Sequence, residues 1–395
     1  MRVNTVSCFV RWLPSGRFFT ASALAALTSG FLGAPLAQAQ GSVTLYGVVD
    51  SGYGYENFQY KYDNKRLKSR HSGLNDGYLK SSRWGLKGSE PLSDGLYAIF
   101  QLEQGFALNT GMAKDGYAFS RKALVGLRSD TFGVFTAGRQ KTVGDDFIDV
   151  DATKGMGEAE NAFGAVGVRT SNVLKYISPT WSGFTAGVAY ATDGGFVKDK
   201  TTGIERLGDR DYLLSAGVHY QNGPLTLAAV HDWQQANKSD GQRLGYRVRN
   251  WMAAASYDFD AFTVNIAYGQ DHNGKLKSPG YVSGSTFDAP VSGLGSYNSQ
   301  GFKSRNYLIS VSMPLGGGQL GLAWTRSSSN LSDVYADHHP GQRLATKTQT
   351  IYAAMYTYKL SKRTTLYGYG SYGTGLAYID QIKGGEAGFG LNHQF

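Results

Sequence analysis

Cysteine is all but missing from this chain of 395 residues: a single thiol, Cys8, sits near the N-terminus. Everything downstream of it therefore lacks a disulfide framework, a catalytic thiol and a cysteine metal site. Proline is also scarce, at 9 residues, and no Lys/Arg run of five or more occurs. That second absence removes the usual mark of a nucleic-acid-binding segment, so no nucleic-acid partner is expected. Long apolar runs are lacking too. The 20-residue stretch Asn306–Thr325 carries no charge, but Pro314 and Gly316-Gly317-Gly318 cut it in the middle, and each half alternates with period two. It reads as two strands and a turn rather than a membrane helix.

The N-terminus has its own logic. Arg2, Arg11 and Arg17 come without any acid, an uncharged stretch runs from Phe18 to about Leu36, and Ala37-Gln38-Ala39 follows. This order predicts a cleaved export signal over 1–39 and a mature domain over 40–395. A membrane anchor is the alternative, but Thr20, Ser22, Thr28, Ser29 and Pro35 interrupt a stretch that would need about 20 apolar residues to span a bilayer. Beyond residue 39 the chain has 356 residues (395 − 39), with 36 basic residues (39 − 3) against 30 acidic ones. The resulting excess of six positive charges is modest and spread out.

Glycine, tyrosine and phenylalanine are abundant, at 53, 26 and 20 residues. Hydrophobic alternation recurs along the chain. Tyr212, Leu214, Ala216, Val218 and Tyr220 alternate with Ser215, Gly217, His219 and Gln221. Trp251, Ala253, Ala255 and Tyr257 alternate with Asn250, Met252, Ala254 and Ser256; Phe389, Leu391, His393 and Phe395 alternate with Gly388, Gly390, Asn392 and Gln394. One face is apolar with aromatics near its ends, and the other is small and polar. Lipid on one side and water on the other would produce this pattern.

Connections alternate as well. Seven are tight: Pro91–Gly95, Ser129–Gly133, Pro179–Gly183, Asn222–Pro224, Asp258–Ala261, Pro314–Gln319 and Leu360–Arg363. Eight are long, at about 56–80, 107–118, 142–168, 192–209, 234–249, 270–304, 327–347 and 374–385. Fifteen connections join sixteen strands. The fold class expected is all-β, a transmembrane antiparallel 16-stranded barrel with short periplasmic turns, long extracellular loops and both termini in the periplasm. A soluble propeller or sandwich would bury its apolar faces against another sheet, and no blade-length repeat is present.

Particular segments resemble a known family. Ser42-Val43-Thr44-Leu45-Tyr46-Gly47-Val48-Val49-Asp50 is similar to the opening strand of Gram-negative general porins of the betaproteobacterial kind. So are Ser82-Arg83-Trp84-Gly85-Leu86-Lys87-Gly88-Ser89-Glu90, Phe100-Gln101-Leu102-Glu103, Arg121 with Val125-Gly126-Leu127, Gly138-Arg139-Gln140, Asn172–Pro179, Leu360–Thr364 and the closing phenylalanine. The resemblance implies a homotrimer in the outer membrane, a third loop folded into the lumen, and passive diffusion of ions and small hydrophilic solutes. It further implies that Phe395 serves as an assembly signal read by the outer-membrane assembly machinery. A substrate-specific channel or an adhesin-type barrel is the alternative. Neither an enzyme nor a cofactor is expected: Gly368-Tyr369-Gly370-Ser371-Tyr372-Gly373 matches a dinucleotide fingerprint, but it lies in a Tyr-rich strand pattern with no helix after it. His338-His339 lies in a long loop without a ligand cluster, so no metal is expected.

What remains is the chemistry of a pore. Thr142–Val168 holds Asp145, Asp146, Asp149, Asp151, Glu158 and Glu160, with Lys154 as its single base. An acidic surface loop is the plain reading; the resemblance makes it the constriction loop, and Gly155 and Gly157 would permit a tight inward path. Opposite it the resemblance places a basic wall. Arg83 and Lys87 share the parity opposite to Trp84 and Leu86, Arg121 matches a family arginine, and Arg169 precedes a strand. Arg139 also enters the set, although its parity follows Phe135 and Ala137. Several loop acids are expected to be occupied by the loop's own N–H groups. Arginines keep their charge at any working pH, and charged walls set ion selectivity. An anion preference follows as the expectation.

Overall fold

The computed structural model describes residues 41–62, 65–150, 153, 166–192, 196–198, 205–207, 212–235, 246–274, 300–338, 340–341 and 344–395. The expected export signal over 1–39 and three of the loop acids, Asp151, Glu158 and Glu160, lie outside these residues, as do Lys154, Gly155 and Gly157.

The strands are β1 (Ser42–Tyr62), β2 (Lys65–Asn75), β3 (Arg83–Ser93), β4 (Leu96–Gly105), β5 (Lys122–Ser129), β6 (Gly133–Lys141), β7 (Arg169–Ile177) and β8 (Phe184–Thr192). After a small hairpin of β9 (Phe196–Lys198) and β10 (Glu205–Leu207) come β11 (Tyr212–Asn222), β12 (Leu225–Gln235), β13 (Val248–Asp258) and β14 (Thr263–His272). The chain ends with β15 (Lys303–Leu315), β16 (Gly318–Ser329), β17 (Gln349–Lys359), β18 (Thr364–Thr374) and β19 (Lys383–Gln394). Every pairing is antiparallel, and β1 pairs with β19, so the sheet closes on itself. Closure satisfies each strand's backbone groups without water, which is what hydrocarbon demands.

Seventeen strands lie in the closed sheet, yet the barrel is 16-stranded, because β2 and β3 are two pieces of one barrel strand. The lower half of β1 pairs with β3, Val48 opposite Arg83, and the upper half pairs with β2, Gly52 opposite Asn75. Seven residues, Asp76–Ser82, stand where β1 has three, and they turn into the lumen. Tyr78 packs on the lumen-facing Tyr369 at 4.0 Å between rings, and the Lys80 N–H donates to Asp50 Oδ2 at 3.0 Å. The connection expected at 56–80 is thus a β-hairpin followed by an inward excursion.

The seven tight turns fall where the pattern put them, and the long connections hold short elements of their own, including a helix at Leu331–His338. The G-x-G-x-x-G segment lies within β18. Large apolar residues project outward on alternate positions: Val125 and Leu127, Tyr307 and Ile309, Phe389 and Leu391 are all exposed. A band of this size facing water would be an aggregation hazard; facing lipid it is where the apolar area belongs. Phe395 completes the seam. Its N–H donates to Gly47 O at 3.1 Å and its carbonyl accepts from Gly47 N at 3.0 Å. A Cβ on Gly47 would lie 2.3 Å from the Phe395 ring, so only glycine leaves room for it.

Candidate pore constriction

The third long connection folds inward. Helix α1 (Val143–Phe147) buries Val143 and Phe147 against Val173, Ala189, Ala191, Leu213, Ala228 and Val230 on the inner wall. Further on, Val150 packs on Ala254, Ala267 and Leu308, and Ser310 Oγ donates to the Val150 carbonyl at 2.7 Å. The segment therefore crosses the inner face from β8 to β15. It returns at Gly167, whose N–H donates to Asp232 Oδ2 at 3.2 Å. Outgoing and returning chains touch: a Cβ on Gly144 would lie 2.4 Å from Gly167 N. Gly144 and Gly167 supply the close approach within the described residues. The lumen face is consequently not polar throughout, and its apolar patch is the track on which this segment lies.

The basic wall forms around one carboxylate. Glu103 on β4 accepts from Arg121 Nε at 2.6 Å and from the Tyr46 hydroxyl at 2.9 Å, and Arg83 Nε stands 3.7 Å away. Register explains the meeting. Gly85 of β3 lies opposite Glu103, which lies opposite Lys122 of β5, all at lumen parity. Arg83 is held further by donating from Nη1 to the Ser81 carbonyl at 3.0 Å. Lys87 stands 5.6 Å from the Tyr46 ring centre, a cation–π distance. Lys122 Nζ donates to Gln101 Oε1 at 3.3 Å. Arg169 opens β7 opposite Lys141, half-buried, within electrostatic reach of Arg121, Asp145 and Glu103.

Arg139 is placed differently. It donates from Nε to the Ser120 carbonyl at 2.7 Å and from Nη1 to Ser171 Oγ at 3.0 Å, and it lies 4.7 Å from the Tyr117 ring centre. Its guanidinium ties β6 to its neighbours, at the parity of Phe135 and next to a register shift between Gly138 and Gln140.

Two of the described loop acids are occupied by lysines on the strands rather than by loop N–H groups. Asp145 pairs with Lys141, and Asp146 pairs with Lys175 at 2.7 Å. Asp149 is exposed. Among the described residues the nearest counter-charge to Arg83 and Arg121 is Glu103, on their own wall. Sequence reasoning missed Glu103, Lys122, Lys141 and Lys175. Parity could have found three of them: Glu103 flanks Leu102, Lys122 precedes Ala123 and Lys175 lies between Leu174 and Tyr176.

These features have counterparts. The Gram-negative porin family model matches residues 21–376. An outer membrane porin protein of Bordetella pertussis is 34% identical, over 94% of this chain and 98% of its own length. Outer membrane porin protein 32 of Delftia acidovorans is 29% identical over 84% of each chain. Among solved structures, the anion-selective porin from Comamonas acidovorans superposes with a TM-score of 0.62 at 21% identity, covering 90% of this chain and all of that one. With the closed barrel and the inward loop, these matches establish that the chain belongs to the Gram-negative porin family and is an outer-membrane diffusion channel.

Proposed function

We propose that this channel prefers anions, and that its selectivity is set where Arg83, Lys87, Arg121, Lys122 and Arg169 face the segment Thr142–Val150. The observation that carries the reading is an imbalance of charge. Among the described residues, five cations line one side of the lumen against Glu103, while Asp145 and Asp146 are each matched by a lysine. Fixed charge of one sign concentrates the opposite ion and repels its own. The Comamonas protein described as anion-selective shares the fold; the preference proposed here rests on this chain's own side chains.

Further parts of the reading are the cleaved signal over 1–39, periplasmic termini, long connections at the cell surface and a homotrimer. Solute uptake tests the central part. Proteoliposomes should swell faster in an anionic solute than in a cationic one of matched size. Equal rates, or a faster cationic rate, would refute the preference.

Phe395 is proposed to serve assembly. Deleting it removes both hydrogen bonds to Gly47 and the ring that fills the space over it. The amount of heat-modifiable, folded protein in outer-membrane fractions should drop several-fold. A truncated chain that assembles as well as the full one would deny the terminal residue this role.

A further inference from the structure

Asp50 is a carboxylate that the basic wall leaves unused. It sits on β1 at lumen parity, fully buried, and no Lys or Arg side chain pairs with it among the described residues. A buried charge without a counter-charge is costly unless hydrogen bonds satisfy it. Here three separate segments supply them. Asn392 of β19 donates from Nδ2 to Asp50 Oδ2 at 2.7 Å, and the Lys80 N–H donates to the same oxygen at 3.0 Å. The Tyr367 hydroxyl of β18 donates to Oδ1 at 2.6 Å, and its oxygen accepts from the Tyr78 N–H at 3.3 Å.

Register explains why the carboxylate stands here. Along β1, Val48 faces Arg83 and Gly52 faces Asn75, so Asp50 is the middle residue of the gap from which Asp76–Ser82 leaves the wall. Its backbone has no strand partner on that side. The Ser82 hydroxyl stands in for one, accepting from the Asp50 N–H and donating to the Asp50 carbonyl, each at 3.0 Å. Gly77 lets the excursion close down on this point: its φ is +66°, and a Cβ there would lie 2.9 Å from the Asp50 Cβ. Ser81 is therefore held from both sides, by Lys80 on the Asp50 carboxylate and by Ser82 on the Asp50 backbone. The Ser81 carbonyl is the group that accepts from Arg83 Nη1 at 3.0 Å, while Arg83 Nε stands 3.7 Å from Glu103.

We infer that Asp50 is a positioning residue for ion preference: it pins the Asp76–Ser82 segment to β18 and β19, and through the Ser81 carbonyl it sets the Arg83 guanidinium in the basic wall. The inference rests on the proposed place of Arg83 in that wall. A functional side chain keeps its geometry only when the groups that hold it are themselves held, and Ser81 owes its place to Asp50. The charge of Asp50 is not the working feature. As a source of field it opposes anions, so its removal alone would raise the ratio of chloride to potassium permeability. As an anchor, its removal lowers that ratio. The two roles differ in sign.

The test compares the wild-type channel with Asp50→Ala, Asp50→Asn, Arg83→Ala and the Asp50→Ala, Arg83→Ala pair in planar bilayers at low salt. Strand circular dichroism and a heat-modifiable folded band are checked first for each. Asp50→Ala should lower the permeability ratio by up to roughly threefold, the change expected when one unit charge about 6 Å from the permeating ion leaves its place. Asp50→Asn keeps the shape and an acceptor for Lys80 and Asn392, so its ratio should fall less. In the Arg83→Ala background, Asp50→Ala should lower the ratio no further, because the group it positions is gone. A ratio at or above wild type in Asp50→Ala overturns the inference, and so does an equal further fall in the Arg83→Ala background. A wild-type ratio in Arg83→Ala removes Arg83 from the wall and the inference with it. A lowered ratio in Arg83→Ala beside an unchanged one in Asp50→Ala removes the role of Asp50 alone. If Asp50→Ala does not fold, Tyr367→Phe takes its place, since it deletes the hydroxyl shared by Asp50 and Tyr78 without altering a charge. Its ratio should also fall, and an unchanged ratio overturns the inference.

Discussion

Replacing Arg83 and Arg121 by alanine should turn this channel from anion-preferring toward cation-preferring, with the barrel intact. Glu103 decides the size of the effect. In the native cluster two guanidinium groups surround one carboxylate; the double variant removes two positive charges and leaves Lys87, Lys122 and Arg169 facing Glu103. In water a unit charge acts on an ion about 6 Å away with roughly 0.7 kcal/mol, so a change of two charges amounts to about 1.4 kcal/mol, near tenfold in local ion concentration. The ratio of chloride to potassium permeability should therefore fall up to about tenfold at low salt, and less at high salt, as a Debye length of roughly 10 Å at 0.1 M shortens. Adding Glu103→Gln to the double variant should bring the ratio back toward neutrality. A double variant with unchanged selectivity would remove these arginines from the filter. If the triple variant kept the permeability ratio of the double, charge would not be the cause.

Detaching the inward segment should have the second large effect. Phe147 is 7% exposed and Val143 is fully buried against the inner wall, so this packing holds the segment across the lumen. Phe147→Ala removes about 3–5 kcal/mol of such packing by the usual cost of a buried phenylalanine. Gly144→Val attacks the same segment by another route, driving a side chain into the Gly167 backbone. Either variant should raise single-channel conductance to about 1.5-fold or more and bring the permeability ratio closer to one, since the filter loses one of its walls. Both variants conducting as wild type would mean that the narrowest section lies elsewhere. Circular dichroism dominated by strand should persist in each, because the barrel ladder does not pass through this segment.

Much of this architecture could be read from the chain, for a physical reason. A strand between lipid and water must alternate, so Tyr307, Ile309 and Val311 against Asn306, Leu308 and Ser310 declare both strand and face. The turns followed because a short link between antiparallel strands has few backbone solutions. Legibility ended where the two-solvent rule stops. Along β1 the aromatics shift from odd positions, Tyr53 and Tyr55, to even ones, Phe58, Tyr60 and Tyr62, so the period does not show that the strand runs on into a hairpin with β2. Leu213, Val230 and Leu308 are apolar at lumen parity because they are the surface on which Val143, Phe147 and Val150 rest. Arg83 and Lys87 alternate with the exposed Trp84 along β3, at the parity read from the sequence. Arg139 is held by Ser120, Ser171 and Tyr117, a partnership between residues distant in sequence that no local pattern announces. The pairing of Asp145 and Asp146 with lysines depends on where α1 lands, which no local pattern specifies.

The most direct measurement is the zero-current potential of the wild-type channel in a planar bilayer under a potassium chloride gradient, repeated from low to high salt. A lumen wall with five cations against Glu103 predicts a potential of the sign given by chloride permeation, largest in dilute salt and shrinking as screening shortens the reach of the wall. A potential of the potassium sign at low salt would contradict the account.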